Sequence, residues 1–344
     1  MNTWLQFLSQ NGAAIDDSSG VPIAEFPRPA ALPRSFVAPL TDVGLIGATG
    51  DDAFVFLHNQ LTNDVEHLSS GEARLAAYCS PKGRMLASFL MWKTADAIML
   101  QLSRQIQPAV QKRLQMFVLR AKVKLNDLSD QHAVLGLGGA SAADALKAWF
   151  PTIPTTPFAK TDSPSGSLIR LPDALGEPRF QWVAPVAVAE QAWPELVKIF
   201  TPVGASLWHL TDIHAGIPLI TQATQEQFVP QMVNFELIGG VNFKKGCYPG
   251  QEIVARSQYL GKQKRRMLLA TLDGMAARPG MELFSSEDPE QPCGMVVNAE
   301  PNLQGGTDCL VEVKTVAAEE GSIHLGSAGG TVLRFGQLPY ALPA

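Results

Sequence analysis

Residues 244–256 read KKGCYPGQEIVAR, and the position of Cys247 within that run directs the reading of the whole chain. A structural cysteine sits in apolar surroundings and behaves as a small hydrophobe. Cys247 instead follows Lys244, Lys245 and Gly246 and precedes Tyr248, Pro249 and Gly250. The lysines favour a thiolate, and the glycines leave the backbone open to close approach. Pro249 to Glu252 reads as the first turn of a helix continuing through Ile253, Val254 and Arg256, so the positive end of the helix dipole faces the sulfur. These residues point to a reactive or ligand-binding thiol. The plainer alternative is a tight loop that tolerates a cysteine because it is small.

Working outward, the 344-residue chain exceeds the roughly 250 to 300 residues at which one core stops growing, so two or three packed units are expected. A composition of 46% hydrophobic and 17% charged residues is that of a globular protein. The net charge of −5 argues against broad attraction to nucleic acid, so direct nucleic-acid binding is not expected. Lys262 to Arg266, KQKRR, is the local exception and reads as a solvated connector or as a contact for RNA or an acidic protein. No run of 18 apolar residues is present, so no membrane span is expected. The opening MNTWLQFLSQNGA lacks the features of a signal peptide and reads as a short helix carrying Trp4, Leu5 and Leu8. Cys79, Cys247, Cys293 and Cys309 form no CxxC pair, which suits reduced thiols and a cytoplasmic location. His209 and His214 are badly spaced for one helix face, and no metal site is expected.

Periodicity then divides the chain. Residues 1–40 form a proline-rich, extended lead-in, with order beginning near Leu45. A strand at 45–48 leads to a helix whose Phe54, Leu57, His58 and Leu61 share one face. Strands at 73–79, 85–92 and 97–102 follow, the first two joined by Ser80-Pro81-Lys82-Gly83, and a helix with Ile106, Val110, Leu114 and Phe117 on one face leads to a strand near Val123 and Leu125. From 131 to 261 a second lobe carries strand AVLGL, a helix capped by Ser141, strands SLIRL and RFQWVAP, and helix EQAWPELVKIF. The glycine turn of AVLGLGGASAADAL does not complete a GxGxxG fingerprint and reads as a simple helix start. Beyond Gly261 the short apolar segments RMLLATL, CGMVV, CLVEV and TVLRF predict a small all-β unit over 262–344. The class is α+β, with two lobes at about 41–130 and 131–261.

KKGCYPGQEIVAR resembles the K-G-C-Y-x-G-Q-E signature of the YgfZ family, folate-binding relatives of the glycine cleavage T-protein. AGIPLITQATQEQFVPQMVNFELIGGVNF resembles the family's approach to that signature, HNQLTNDV its early helix, and LPYAL its C-terminus, so the similarity runs from about residue 40 to the end. The resemblance implies a T-protein-like three-lobed ring of two α/β lobes plus a C-terminal β-barrel, with tetrahydrofolate or a derivative as cofactor. It also implies iron–sulfur enzymes as clients, including radical enzymes that modify tRNA. Cys247 is then the candidate reactive thiol, with Lys245, Tyr248, Gln251, Glu252 and Arg256 around it. Trp208, Gln181, Tyr248 and the position of Val43 are assigned to folate.

Where an aminomethyltransferase carries a carboxylate pair, GRMLAS places Ala87 and Ser88, and neither serves as an acid or base for folate chemistry. Gln181 replaces a pterin-gripping glutamate, Asp212 stands where many relatives have Arg or Asn, and Val43 replaces a folate-contacting tryptophan. Folate binding with altered contacts is therefore expected. One-carbon transfer and a binding module with a structural cysteine are the alternative readings.

Overall fold

The computed structural model describes residues 2–259, 263–274 and 277–343. Gly261, where the boundary was expected, and Lys262 of the basic run lie outside the described residues. The chain forms two compact units, one of Met1–Leu57, Val65–Arg74 and Leu90–Trp208, the other of His58–Asp64, Leu75–Phe89 and His209–Ala344. Among the described residues no helix is long and apolar enough to cross a membrane.

The first unit is built on a six-stranded sheet in the order Lys160–Ser163, Gly166–Ala174, Glu177–Pro185, His132–Gly139, Ser35–Pro39 and Thr201–Pro202. Residues 35–39, read from sequence as part of the lead-in, are a fully buried strand paired with His132–Gly139 on one side and Thr201–Pro202 on the other. Prolines at 33 and 39 hid it, because they flank a run too short to show alternation. The expected helix at Trp4 forms over Thr3–Gln10, its Asn2 side chain accepting the Leu5 N–H at 2.9 Å. Trp4 meets Trp193 edge-on at 5.9 Å in a core that includes Leu8, Trp182 and Phe200.

Two glycines of AVLGLGG are there to make room for rings. A Cβ on Gly136 would lie 2.4 Å from the Trp208 indole, and one on Gly138 would lie 2.4 Å from Phe36. Ser141 makes no side-chain cap, and the helix it precedes runs only from Ala142 to Leu146. The helix expected at 190–200 begins earlier, at Val186, directly after Pro185.

A five-stranded sheet has the order Ala73–Cys79, Met85–Lys93, Ile98–Ser103, Val43–Thr49 and Lys124–Asp127. Helix Gln107–Met116 buries Val110 and Leu114, whereas Phe117 lies past its end and is exposed.

The C-terminal sheet of the second unit is ordered Ile323–Leu325, Glu282–Ser285, Pro292–Pro301, Thr307–Lys314, Arg265–Leu272 and Arg334–Phe335. It curls over a core that includes Leu272, Leu283, Val296, Val311 and Leu325, giving a half-barrel. A register shift between Val296 and Asn298 turns Asn298 onto Leu219, whose N–H and carbonyl it bonds at 2.9 Å each. The basic run reads differently in three dimensions, because Arg265 donates to Glu312 at 2.9 Å and Arg266 to Glu236 at 2.5 Å.

Burial pushes the Glu312 carboxyl up to about 7, with Arg265 pulling in the opposite direction. A carboxyl raised on folding binds its proton more tightly in the folded chain. Its contribution to stability is therefore fully present below the ordinary carboxylate range and lost as pH rises through 7. Denaturant midpoints measured between about pH 5 and about pH 8 are expected to fall as pH rises, and Glu312→Gln is expected to flatten that fall. An identical slope in the variant would show that another group sets it.

Candidate functional site

Helix Ala53–His58 stops earlier than its apolar spacing suggests. Leu61, expected on its buried face, instead forms an isolated antiparallel bridge with Tyr78. A helix end leaves carbonyl oxygens without intrahelical donors and carries partial negative charge. Lys245 answers both needs, since its Nζ donates to the carbonyl of His58 and, at 2.7 Å, to that of Leu61. The same ammonium stands 4.8 Å over the Tyr248 ring. Lys245 was expected to favour the thiolate, and its ammonium is seated on two backbone oxygens and over a ring, which makes it an anchor of the loop.

The polar residues after the helix complete the attachment. Thr62 Oγ1 donates to the Gly240 carbonyl at 2.7 Å and accepts the Ala77 N–H at 2.8 Å. Asn63 Nδ2 donates to the carbonyls of Leu75 and Gly239, each at 2.7 Å. HNQLTND and KKGCYPGQE, nearly 190 residues apart in the chain, are thereby neighbours.

On the far side of the loop Gly250 has φ +81°, and a Cβ there would lie 2.4 Å from the Ser80 carbonyl oxygen and 2.7 Å from Gly83 Cα. The turn Ser80–Gly83 and the turn at Pro249-Gly250 thus meet backbone to backbone, which only glycine permits. The signature helix runs from Gln251 to Tyr259, so it starts four residues after Cys247 rather than at Pro249. Its Val254 carbonyl accepts the Gln231 side chain at 2.7 Å, while Gln251 is half-buried and Glu252 and Arg256 are exposed.

Of the four cysteines only Cys247 is exposed. Burial pushes the Cys79 thiol up to about 12, and burial followed by the charge of Asp308 does the same to Cys309. Tyr248 is buried, and desolvation, then Cys79, drives its hydroxyl above the ordinary tyrosine range, so it remains protonated.

Two residues that sequence reasoning did not assign to the site stand beside the loop. His58 is 7% exposed, and its Nδ1 lies 3.2 Å from Asp64 Oδ1. Its Nε2 faces Gly246, where a Cβ would stand 3.7 Å away. The signal available in the sequence was the polar run HNQLTND at the end of an apolar helix face.

The residues assigned to folate fall into separate groups. Gln181 pairs across the sheet with Gly136, against which the Trp208 ring is packed, and the Arg179 guanidinium lies 5.0 Å over that ring. Gln181 exchanges two hydrogen bonds with Gln101, at 3.0 and 2.7 Å. Trp208 is 2% exposed. Val43 stands elsewhere, lining a cavity of about 170 Å³ with Trp4, Leu45, Arg104 and Ser129. Ala87 and Ser88 are buried, and Ser88 Oγ accepts the Ile220 N–H at 3.0 Å. Asp212 lies 3.7 Å from His209 Nδ1.

Gly250→Ala is expected to cost about 2–4 kcal/mol, because strain at positive φ adds to a backbone clash. Thermal unfolding of the variant checks this, and a loss under about 0.5 kcal/mol would mean that the two turns separate freely.

A family model of the GCVT N-terminal domain matches residues 37–162. The tRNA-modifying protein YgfZ of Photorhabdus laumondii is 34% identical over 238 residues, covering 69% of this chain and 70% of that relative. The protein of the same name from Colwellia psychrerythraea is 31% identical over 268 residues, covering 77% and 78%. That from Edwardsiella ictaluri is 29% identical over 311 residues, covering 86% and 89%. The glycine cleavage system aminomethyltransferase T from Bartonella henselae superposes with a TM-score of 0.78 at 18% identity, covering 95% of this chain and 94% of that one, so the two share a fold. With identity of this order sustained over most of both chains, this chain belongs to the YgfZ family, built on the fold of the glycine cleavage T-protein.

Proposed function

We propose that the chain is a folate-binding accessory protein that supports synthesis or repair of iron–sulfur clusters in enzymes such as the radical enzymes that modify tRNA. The observation that carries the reading is the exposed Cys247 on a loop held at both ends, by Lys245 on carbonyls and by Gly250 on the Ser80–Gly83 turn. An exposed thiol on a fixed backbone suits a nucleophile or a ligand donor, and it contrasts with three buried cysteines. The name carried by the three relatives supports a link to tRNA modification.

The GCVT match supports folate as the ligand, held by the region 41–261, with 262–344 as the barrel. Gln181, Trp208 and Arg179 suit that role chemically. A pterin edge presents adjoining donors and acceptors, and the Gln181 amide offers the complementary pair, now engaged with Gln101. An indole beside a guanidinium suits a flat, electron-rich ring. When bound, tetrahydrofolate would supply a reduced, oxidisable pterin ring and a carrier for one-carbon units. Tyr248 and Arg256, on the loop and helix of Cys247, are assigned to the surroundings of the thiol, with Gln251 and Glu252 setting the loop's angle.

One-carbon transfer is the second reading, and the side chains at 87 and 88 weigh against it. Titration with tetrahydrofolate is expected to show saturable binding, weakened by roughly 1 kcal/mol in Trp208→Phe, without release of ammonia from an aminomethylated lipoyl carrier. Turnover with that carrier would favour the transferase.

Complementation tests the role of the thiol. In a deletion strain, Cys247→Ala is expected to lower the thiomethyl content of tRNA while leaving folate affinity within about twofold, since it removes one exposed, small side chain. Full restoration by the variant would make Cys247 structural.

A further inference from the structure

A working thiol needs somewhere to send its proton, and the surroundings of Cys247 contain a fitted acceptor. His58 closes helix Ala53–His58 with its ring buried. Asp64 Oδ1, 3.2 Å from Nδ1, is placed to accept an Nδ1–H. That tautomer leaves a lone pair on Nε2. Nε2 faces the backbone of Gly246, 3.7 Å from the place of a Cβ, so the imidazole edge stands one residue from the thiol. A Cβ at 246 would stand in ordinary van der Waals contact with that nitrogen, so the backbone beside the thiol and the imidazole edge are neighbours.

The charged and titratable groups around His58 have defined tasks. Asp64 lies on Nδ1, and Lys245 holds the carbonyls of His58 itself and of Leu61. Tyr248 lies under the Lys245 ammonium and is kept protonated by burial, and its neighbour Cys79, also buried, is kept protonated in the same way.

We propose that His58, oriented by Asp64, accepts the thiol proton of Cys247, so that the three residues form a Cys–His–Asp relay. The proposal rests on the reading of Cys247 as the working thiol. In the step, the S–H bond breaks, its electron pair stays on sulfur, and the proton passes through one water to His58 Nε2. The thiolate then forms a bond to an electrophilic carbon or to cluster iron, and the imidazolium gives its proton to the leaving group or to solvent. Asp64 is a positioning residue whose carboxylate fixes the tautomer and stabilises the imidazolium.

Alkylation of the full chain by iodoacetamide, read at Cys247 by peptide mass spectrometry across pH, tests the relay. The reaction forms an S–C bond, expels iodide and sends the thiol proton through His58 to solvent. His58→Gln is expected to slow it at least about fivefold near pH 6.5 and less than about twofold near pH 10, where an ordinary thiol is already ionised. Asp64→Asn is expected to give a smaller loss with the same convergence, and carries the test alone if His58→Gln does not fold. Superimposable profiles, or an equal loss at every pH, would overturn the relay. The cellular assay separates this from the reading beneath it. If Cys247→Ala abolishes thiomethylation while the profiles superimpose, the working thiol stands and the relay falls. If Cys247→Ala is silent in cells while His58→Gln shifts the profile as described, the relay stands on a thiol the client pathway does not use.

Discussion

The Lys245 ammonium seated on the carbonyl oxygens of His58 and Leu61 is the contact on which the site depends. A helix that ends inside a protein leaves acceptors that water cannot reach, and each unmade hydrogen bond of this kind costs on the order of 1–3 kcal/mol. A single flexible cation satisfies two of them and stacks on Tyr248 as well. That arrangement couples the signature loop to the early helix end, since the loop supplies the donor and the helix end the acceptors. The lysine's long stem matters as much as its charge, because it reaches from an exposed loop to a buried helix end.

With one end of the loop fixed by a cation, the other is fixed by the absence of side chains. Gly250 and Gly83, both at positive φ, bring two turns into contact at a separation that no Cβ allows. Between these anchors Cys247 has a fixed backbone and a free side chain. Rigid presentation of an exposed group is what a binding or reacting thiol requires, because positioning lowers the entropy lost on meeting a partner. It is also more than a cysteine tolerated for its small size would need.

Much of this was legible in the sequence where local chemistry decides the outcome. Strand Ala73–Cys79, the Ser80–Gly83 turn and the apolar C-terminal segments were readable from alternation and turn residues, and Cys247 stood out by its neighbours. What was missed depends on contacts distant in sequence. Leu61 has the spacing of a helix face and is fully buried, but Tyr78 buries it in a bridge. Once the helix is known to stop at His58, the pairing with Asp64 and the orientation toward Gly246 follow, and no periodicity reports either. Gly136 and Gly138 mimic a phosphate loop because packing an indole or a phenyl ring onto a strand makes the same demand on the backbone as approach to a phosphate. Arg265 and Arg266 look like a surface patch until Glu312 and Glu236 are seen opposite them.

Burial sorts the chemistry of this chain more decisively than composition. Four thiols share one sequence, and two of them are held near 12 by removal from water, which leaves them almost wholly protonated at neutral pH. Cys293 is raised too, its desolvation only partly offset by nearby cations. The same sorting acts at positions 87 and 88. Ala87 is buried without a polar group, and Ser88 is committed to the Ile220 N–H, so that strand offers structure and no proton donor of the needed strength. A fold shared with an aminomethyltransferase here carries a buried alanine and a buried serine on that strand and displays an exposed thiol on a loop. The shared fold constrains where a ligand can lie, while the reaction follows from which side chains remain in contact with water.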